Sequence, residues 1–371
     1  MEQYLVVEKR GAVAEITLNR PRALNALNDE MRDAILGLLP EFAGDPETYA
    51  VILRSNSPRA FCAGGDVREL TALAARGPEL AAASVGNEYF MNWALDCFTK
   101  PIVSLIDGMV MGSGAGLVLY GTHRVAGEGF SFAMPETAIG LFPDVGVCHA
   151  LARMPNNVGR YLGLTGHTIG RASAYQLGLV THCIAAEEFA QITAGLAAAD
   201  TVDPILDGLH RDPQPDENDR SLAGRDALID DVFGRDSLPE IFDALRQNAG
   251  RKGADATWCA DVLSDLEKRS PLSLHVTLRH LDQCRERTLR EVLIHDYRLA
   301  VRFLREKDLH EGVRAVLIDK DGQPKWQHAS INEVGGEEIE TYFTKPEGAD
   351  LVLPDREKMQ EARGRGAVFE R

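Results

Sequence analysis

Three stretches carry residues whose types and spacing could do chemistry. AFCAGGDVREL, Ala60 to Leu70, sets small residues and two glycines between an apolar run and an acidic, helix-like continuation. MGSGAGL, Met111 to Leu117, is a second glycine cluster placed after a buried strand and before a helix. At such a junction the N–H groups of the first helical turn have no internal partner and point at whatever sits above them. Two such loops side by side can aim two main-chain donors at one oxygen, an oxyanion hole suited to acyl or enolate chemistry on a carbonyl. Taken alone, either loop reads first as a tight packing turn, since Gly and Ala serve close packing as well as close ligand approach. The third stretch, FAMPETAIGLFPDVG, Phe132 to Gly146, is apolar and small apart from Glu136 and Asp144, so its two carboxylates are expected to line a cleft. The competing reading of Glu136 is a charge favoured at a helix N-terminus.

Two rival chemistries fail on the residues. GSGAGL lacks the Gly-Lys-Ser/Thr ending of a phosphate loop, and Leu117 stands where a dinucleotide fingerprint needs its third glycine. No His lies beside Ser113 in sequence to make its hydroxyl a nucleophile.

The elements that must position these stretches follow from periodicity. YLVVE and VAEITL, residues 4–8 and 13–18, read as a hairpin. Leu27, Met31, Ile35, Leu38 and Leu39 recur at helical spacing, with Asn28 as N-cap. Ala50–Ser55 and the run from Pro101 to Gly108 are short buried strands, with a helical stretch from about Gly77 to Phe98 between them. RVAGEGFSFAMPE is strand-like, and NVGRYLGLTG and SAYQLGLVTHCI read as helix, turn, helix and a last strand. Strand and helix thus alternate to about residue 185, which predicts an α/β fold with largely parallel pairing. HRDPQPDENDRSLAG, His210 to Gly224, reads as a loop, and helical spacing dominates from Leu238 to Glu306. The expected organisation is a core over 1–200, a mainly helical region over 201–350 and a charged tail over 351–371.

Composition narrows the partners. The 371 residues are 44% hydrophobic and 26% charged, with a formal net charge of −16. That balance gives a sizeable core and disfavours non-specific binding to nucleic acid or an anionic membrane. An anionic ligand would need local cations. The six cysteines form no Cys-x-x-Cys pair, so neither a zinc site nor a disulfide framework is signalled, and reduced thiols in the cytoplasm are expected. Cys62 reads as a buried small hydrophobe, Asp66 as an N-cap, and His123 and His149 as structural.

The order and spacing of AFCAGGDVREL, the glycine loop and FAMPETAIGLFPDVG resemble the crotonase (enoyl-CoA hydratase/isomerase) superfamily. MPETAIGLFPDVG together with DLHEGVRAVLIDKDGQPKW, Asp308 to Trp326, is similar more narrowly to its 3-hydroxyisobutyryl-CoA hydrolase branch. The resemblance runs from about residue 4 to 326. It implies a spiral of ββα repeats, with a helical C-terminal region covering the site. It implies an oxyanion hole from the N–H groups of Gly65 and Ser113, the latter standing where the family usually has Gly. Hydratases of the family use two glutamates. One falls on Glu136 and the other on Gly116, which has no side chain, so hydration is disfavoured because it needs both a base and an acid. Asp144 matches the extra acid of the hydrolase branch, and Glu88 its acidic substrate contact, although Glu88 reads equally well as a helix-surface group.

The resemblance therefore implies hydrolysis of an acyl-CoA thioester in valine breakdown. Glu136 would act as base or nucleophile, and Asp144 would hold the substrate hydroxyl or aid proton transfer. Arg22 would meet a CoA phosphate, and Ala23, Ala63 and Gly64 would offer main chain to CoA. No metal and no separate cofactor are expected, and a homo-oligomer is compatible. The alternatives are a hydratase or isomerase working through Glu136, and a non-catalytic acyl-CoA-binding or scaffold protein of the same fold.

Overall fold

A computed structural model describes residues 4–346 and 350–361. Among the described residues ten strands divide between two sheets, and the division explains how the three chemical stretches meet. Strands β1 (Leu5–Arg10) and β2 (Val13–Leu18) form the expected antiparallel hairpin. After them the chain lays down strands in pairs: β3 (Ala50–Ser55) with β4 (Ala60–Cys62), β5 (Ile102–Ile106) with β6 (Met109–Met111), and β7 (His123–Ala126) with β8 (Ser131–Ala133). The first member of each pair joins a six-stranded sheet of order β1-β2-β3-β5-β7-β10, where β10 is His182–Cys183. The second joins a four-stranded sheet of order β4-β6-β8-β9, where β9 is Ile169–Gly170. Pairing is parallel throughout except for β1 with β2 and β8 with β9. Each winding of this ββα spiral thus ends in a loop after β4, β6 or β8. Those strands are parallel neighbours, so the three loops emerge side by side at their carboxyl ends, the usual place for a ligand in a parallel sheet.

The six-stranded sheet is buried on both faces, and its residues alternate accordingly. Ala14, Ile16, Val51 and Leu53 face the main apolar cluster, which runs from Leu5 to Met359. Val13, Ala50, Ile52, Val103 and Leu105 face a second cluster closed by Phe189, Ile192, Leu196, Val202 and Leu206. The helices Phe189–Ala197 and Val202–Leu209 thus cover the outside of the spiral.

Several boundaries differ from the sequence reading. Leu27 lies before the first helix, Asp29–Gly44, and instead bridges to Gly65. Asn28 caps that helix as expected, its side chain accepting from the Met31 N–H at 3.0 Å. The strand-like run after His123 is two strands in different sheets, because the turn at Gly127–Phe130 carries the chain from one to the other. The second glycine loop is shorter than it reads, since Met109–Met111 is already strand. Helices Leu238–Ala249, Ala254–Leu266, Pro271–Cys284 and Leu289–Phe303 form the C-terminal layer. The charged tail does not stand clear of the molecule over its first half. Trp93 Nε1 donates to Pro354 O at 2.8 Å, Arg356 pairs with Asp96, and Met359 is buried; residues 362–371 lie outside the described part. No helix among the described residues is long and apolar enough to cross a membrane.

Candidate active site

The loop after β4 is shaped by a neighbouring run of main chain. Leu24 and Asn25 have φ of 52° and 55°, which turns the chain so that residues 24–27 lie along residues 63–66. The Ala63 N–H donates to Leu24 O, Leu27 N–H to Gly64 O and Asp66 N–H to Leu27 O, at 2.8–3.0 Å. Asp66 then caps the Val67–Arg76 helix, accepting from the Glu69 N–H at 3.2 Å. Gly64 has φ of 114° and Gly112 has φ of 46°, a region that L side chains avoid, so both positions require glycine.

The two glycine loops touch. A β-carbon on Gly65 would sit 2.8 Å from Ser113 Oγ, and one on Gly112 would sit 3.0 Å from Glu136 Oε1 and 3.5 Å from Gly64 Cα. Gly64, Gly65, Gly112, Ser113 and Glu136 therefore form one cluster at the ends of β4, β6 and β8. Ser113 opens the helix Ser113–Val118 and is buried. Among the described residues, no main-chain carbonyl in the surrounding turns and caps takes the N–H of Gly65 or Ser113.

Glu136 begins the short helical turn Glu136–Ile139 and is 6% exposed. Its Oε2 is fully buried and has no hydrogen-bond partner. Burial, with the nearby Asp144 charge added, pushes its pKa well above the ordinary carboxylate range. Asp144 is half-buried and accepts from Tyr89 OH at 2.7 Å. Desolvation, then the charge of Glu88, raises its pKa as well, against the Tyr89 bond. Buried carboxyl groups with raised pKa values, one of them raised by the charge of the other, are a common arrangement for acid–base work.

Glu88 is not on the surface. It lies 6% exposed within the Pro78–Asp96 helix and pairs with Arg32 Nη2 at 3.1 Å, leaving its Oε1 buried and unpartnered. The guanidinium of Arg32 also reaches Asp29 at 2.7 Å and Leu27 O at 3.2 Å, and lies 3.2 Å from where a Gly65 β-carbon would be. Gly116 has a steric reason to be glycine: a β-carbon there would fall 2.7 Å from Asn92 Nδ2 and 2.8 Å from Val145 Cβ. Asn92 also donates to Gly116 O at 3.0 Å, so the space a second catalytic glutamate would need is taken. Arg22 is exposed in the turn Pro21–Ala23, and Ala23 and Ala63 are half-buried on the paired stretches 20–27 and 63–66 beside the cluster.

The sequence reading missed Arg32, Tyr89 and Asn92. A signal existed for Glu88 and Asn92. They continue the helical spacing of the buried Ala81 and Val85, and a polar residue on an apolar stripe is buried by its neighbours. Cys62, like the other five cysteines, is a buried free thiol.

The sequence profile described as enoyl-CoA hydratase/isomerase matches residues 13–343. The chain is 38% identical to the mitochondrial 3-hydroxyisobutyryl-CoA hydrolase of Homo sapiens over 94% of its own length and 90% of that protein. It is 37% identical to 3-hydroxyisobutyryl-CoA hydrolase 1 of Arabidopsis thaliana over 96% of each. Among solved structures, a carnitinyl-CoA dehydratase from Mycobacterium thermoresistibile superposes with a TM-score of 0.87 at 31% identity, covering 95% of this chain and all of the other. An enoyl-CoA hydratase from Rhodobacter sphaeroides superposes with a TM-score of 0.86 at 34% identity over the same shares.

Proposed function

This chain belongs to the enoyl-CoA hydratase/isomerase family, and from that premise we propose that it hydrolyses 3-hydroxyisobutyryl-CoA to 3-hydroxyisobutyrate and CoA. The observation that carries the reading is the pairing of Glu136 and Asp144 at a site where Gly116 leaves no room for a second glutamate. Hydration across a double bond needs a base for water and an acid for carbon. Hydrolysis needs one activated oxygen and a place for the charge that develops on the thioester carbonyl.

In this reading the carbonyl oxygen sits against the N–H groups of Gly65 and Ser113, which neutral backbone can present without reorganising. Ser113 supplies its N–H as Gly would. Glu136, its Oε2 unpartnered, then acts by one of two routes. As nucleophile it bonds to the carbonyl carbon, the C–S bond breaks, CoA leaves as thiolate, and water cleaves the resulting anhydride. As general base it takes a proton from water, whose oxygen attacks the same carbon, and the C–S bond then breaks to release CoA as thiolate. Asp144 holds the substrate hydroxyl or relays the proton, and Glu88, fixed by Arg32, contacts the substrate. Arg22 meets a CoA phosphate, offsetting the acidic surface, while Ala23, Ala63 and Gly64 offer main chain to CoA. No metal or separate cofactor takes part. Valine breakdown is the route this substrate implies, and the buried thiols suit a reducing compartment such as the cytoplasm.

A second reading, hydration of an enoyl-CoA, is favoured by the names of the two solved relatives alone. Single-turnover reaction in H₂¹⁸O tests the first. Released CoA with one label in the acid supports hydrolysis, and label in the Glu136 carboxyl marks the anhydride route. A labelled hydroxyl on an intact thioester would instead establish hydration.

A further inference from the structure

The loop that carries Asp144 is an unfavourable one to leave to itself. Val145 has φ of 53° and Gly146 has φ of 75°. A β-branched residue in the left-handed region is an outlier that persists only when its surroundings impose it. Packing contributes, since Val145 has no exposed surface and Gly146 is crowded by Tyr120, Leu289 and Leu293. Hydrogen bonds from three separate elements add a directional constraint. Tyr89 OH bonds Asp144, Tyr120 OH donates to Val145 O, and the Gly146 N–H donates to Asp296 Oδ2 at 2.6 Å.

Asp296 lies on the Leu289–Phe303 helix with no exposed surface. A carboxylate buried there needs a counter-charge or it is strongly destabilising. His280, equally buried on the Pro271–Cys284 helix, meets Asp296 Oδ1 through Nε2 at 2.6 Å. Burial works against a charge on His280, but Cys284 and the Asp296 bond outweigh it and raise its pKa above the usual histidine value. The ring of Phe142 stands edge-on to His280 at 5.6 Å, so both ends of the 142–146 segment rest on this pair.

We infer that Asp296, braced by His280, is a positioning residue for Asp144, fixing the Val145–Gly146 turn through the Gly146 N–H so that the Asp144 carboxyl faces Glu136. The inference rests on the catalytic reading of Asp144 given above. Neither side chain has exposed surface with which to meet a ligand, so the pair acts only through Asp144.

The test is steady-state release of CoA from 3-hydroxyisobutyryl-CoA by four proteins: wild type, Asp296→Ala, Asp144→Asn and the double variant. Misplacing a reacting group by about 1 Å can cost up to about 10²-fold, so Asp296→Ala should lower kcat by roughly 10- to 10²-fold with little change in KM. In the Asp144→Asn background the same change should cost less than about threefold, because one interaction is lost once. Asp296→Asn keeps an acceptor for the Gly146 N–H and should recover most of kcat. Should Asp296→Ala fail to fold, Tyr120→Phe, which removes the Val145 tether, is expected to lower kcat in the same Asp144-dependent way. Losses that multiply with those of Asp144→Asn, or normal turnover in the folded variants, would overturn the inference while leaving Asp144 in the mechanism. An Asp144→Asn enzyme of normal kcat would instead remove the reading on which the inference depends.

Discussion

The donor loops and the Asp144 loop meet at one site but are held from different distances. Ala63, Gly64 and Asp66 are tied by main-chain bonds to Leu24 and Leu27, which holds Gly65 between them, and Gly112 and Ser113 are placed by following β6, the parallel neighbour of β4. The Pro143–Gly146 loop depends on side chains 55, 25 and 150 residues away in sequence: Tyr89, Tyr120 and Asp296. Backbone donors come preorganised with the spiral itself, so few side chains can disturb them. The carboxylate side is assembled from helices of both halves of the chain, so it should be sensitive to substitutions at a distance and tunable by them.

The largest effect should come from Glu136, which belongs to the spiral by position and to the carboxylate side by chemistry. Glu136→Gln should lower kcat for CoA release by roughly 10²–10⁴-fold, the range for a positioned acid–base group, with the fold intact by circular dichroism. The same variant reads the cost of the buried charge. The raised pKa of Glu136 means that folding favours its protonated form over its charged form more than the unfolded chain does. Its contribution is fully present below the ordinary carboxylate value of about 4 and is lost as pH rises through the folded value. The melting temperature of Glu136→Gln relative to wild type should therefore climb from pH 4 to pH 8. A flat difference would mean that Glu136 is not held in a carboxylate-hostile site.

Asp144→Asn probes the coupling between the two carboxyl groups. It should cut turnover by about 10²-fold, at the lower end of the acid–base range. It should also move the rising limb of the pH–rate profile to lower pH, because removing the Asp144 charge lets Glu136 ionise more easily. An unmoved limb would separate the two groups. Gly116→Glu attacks the spiral instead. With Asn92 and Val145 in the way, it should destabilise the protein by roughly 1–3 kcal/mol in denaturant titration, the usual cost of overpacking, and should not create a hydratase. The smallest effect should be at Ser113. Loss of an oxyanion donor typically costs about 10²–10³ in kcat, whereas Ser113→Ala and Ser113→Gly both keep the N–H and should stay well inside that range. A collapse in Ser113→Ala, with fold and CoA binding unchanged, would give the hydroxyl a chemical role and undo the main-chain view of these loops.

The same contrast governs what could be read from the sequence. Gly64, Gly112, Asn28 and Asp66 announce themselves locally, because a left-handed turn or a helix cap leaves a residue type at a fixed offset. Glu136 and Asp144 stood out as the carboxylates of an apolar run. Arg32, Tyr89, Tyr120, His280 and Asp296 did not, since their partners are set by tertiary packing. Several nevertheless leave a trace. Asp296 continues the stripe of Leu289, Val292, Leu299 and Phe303, and His280 that of Thr277, Leu281 and Cys284. A charge at such a position must be paired in the core, and that rule locates the residue without naming its partner. Glu88 was ambiguous for this reason, and its burial against Arg32 removes the helix-surface reading.

The most direct test compares two reactions of the purified wild-type protein at matched concentrations: release of free thiol from 3-hydroxyisobutyryl-CoA, and loss of the enoyl thioester absorbance of crotonyl-CoA. Glu136 without a second glutamate at Gly116 predicts rapid thiol release and hydration that is negligible beside it. Hydration of crotonyl-CoA at a comparable or higher rate, with the thioester left intact, would contradict the account.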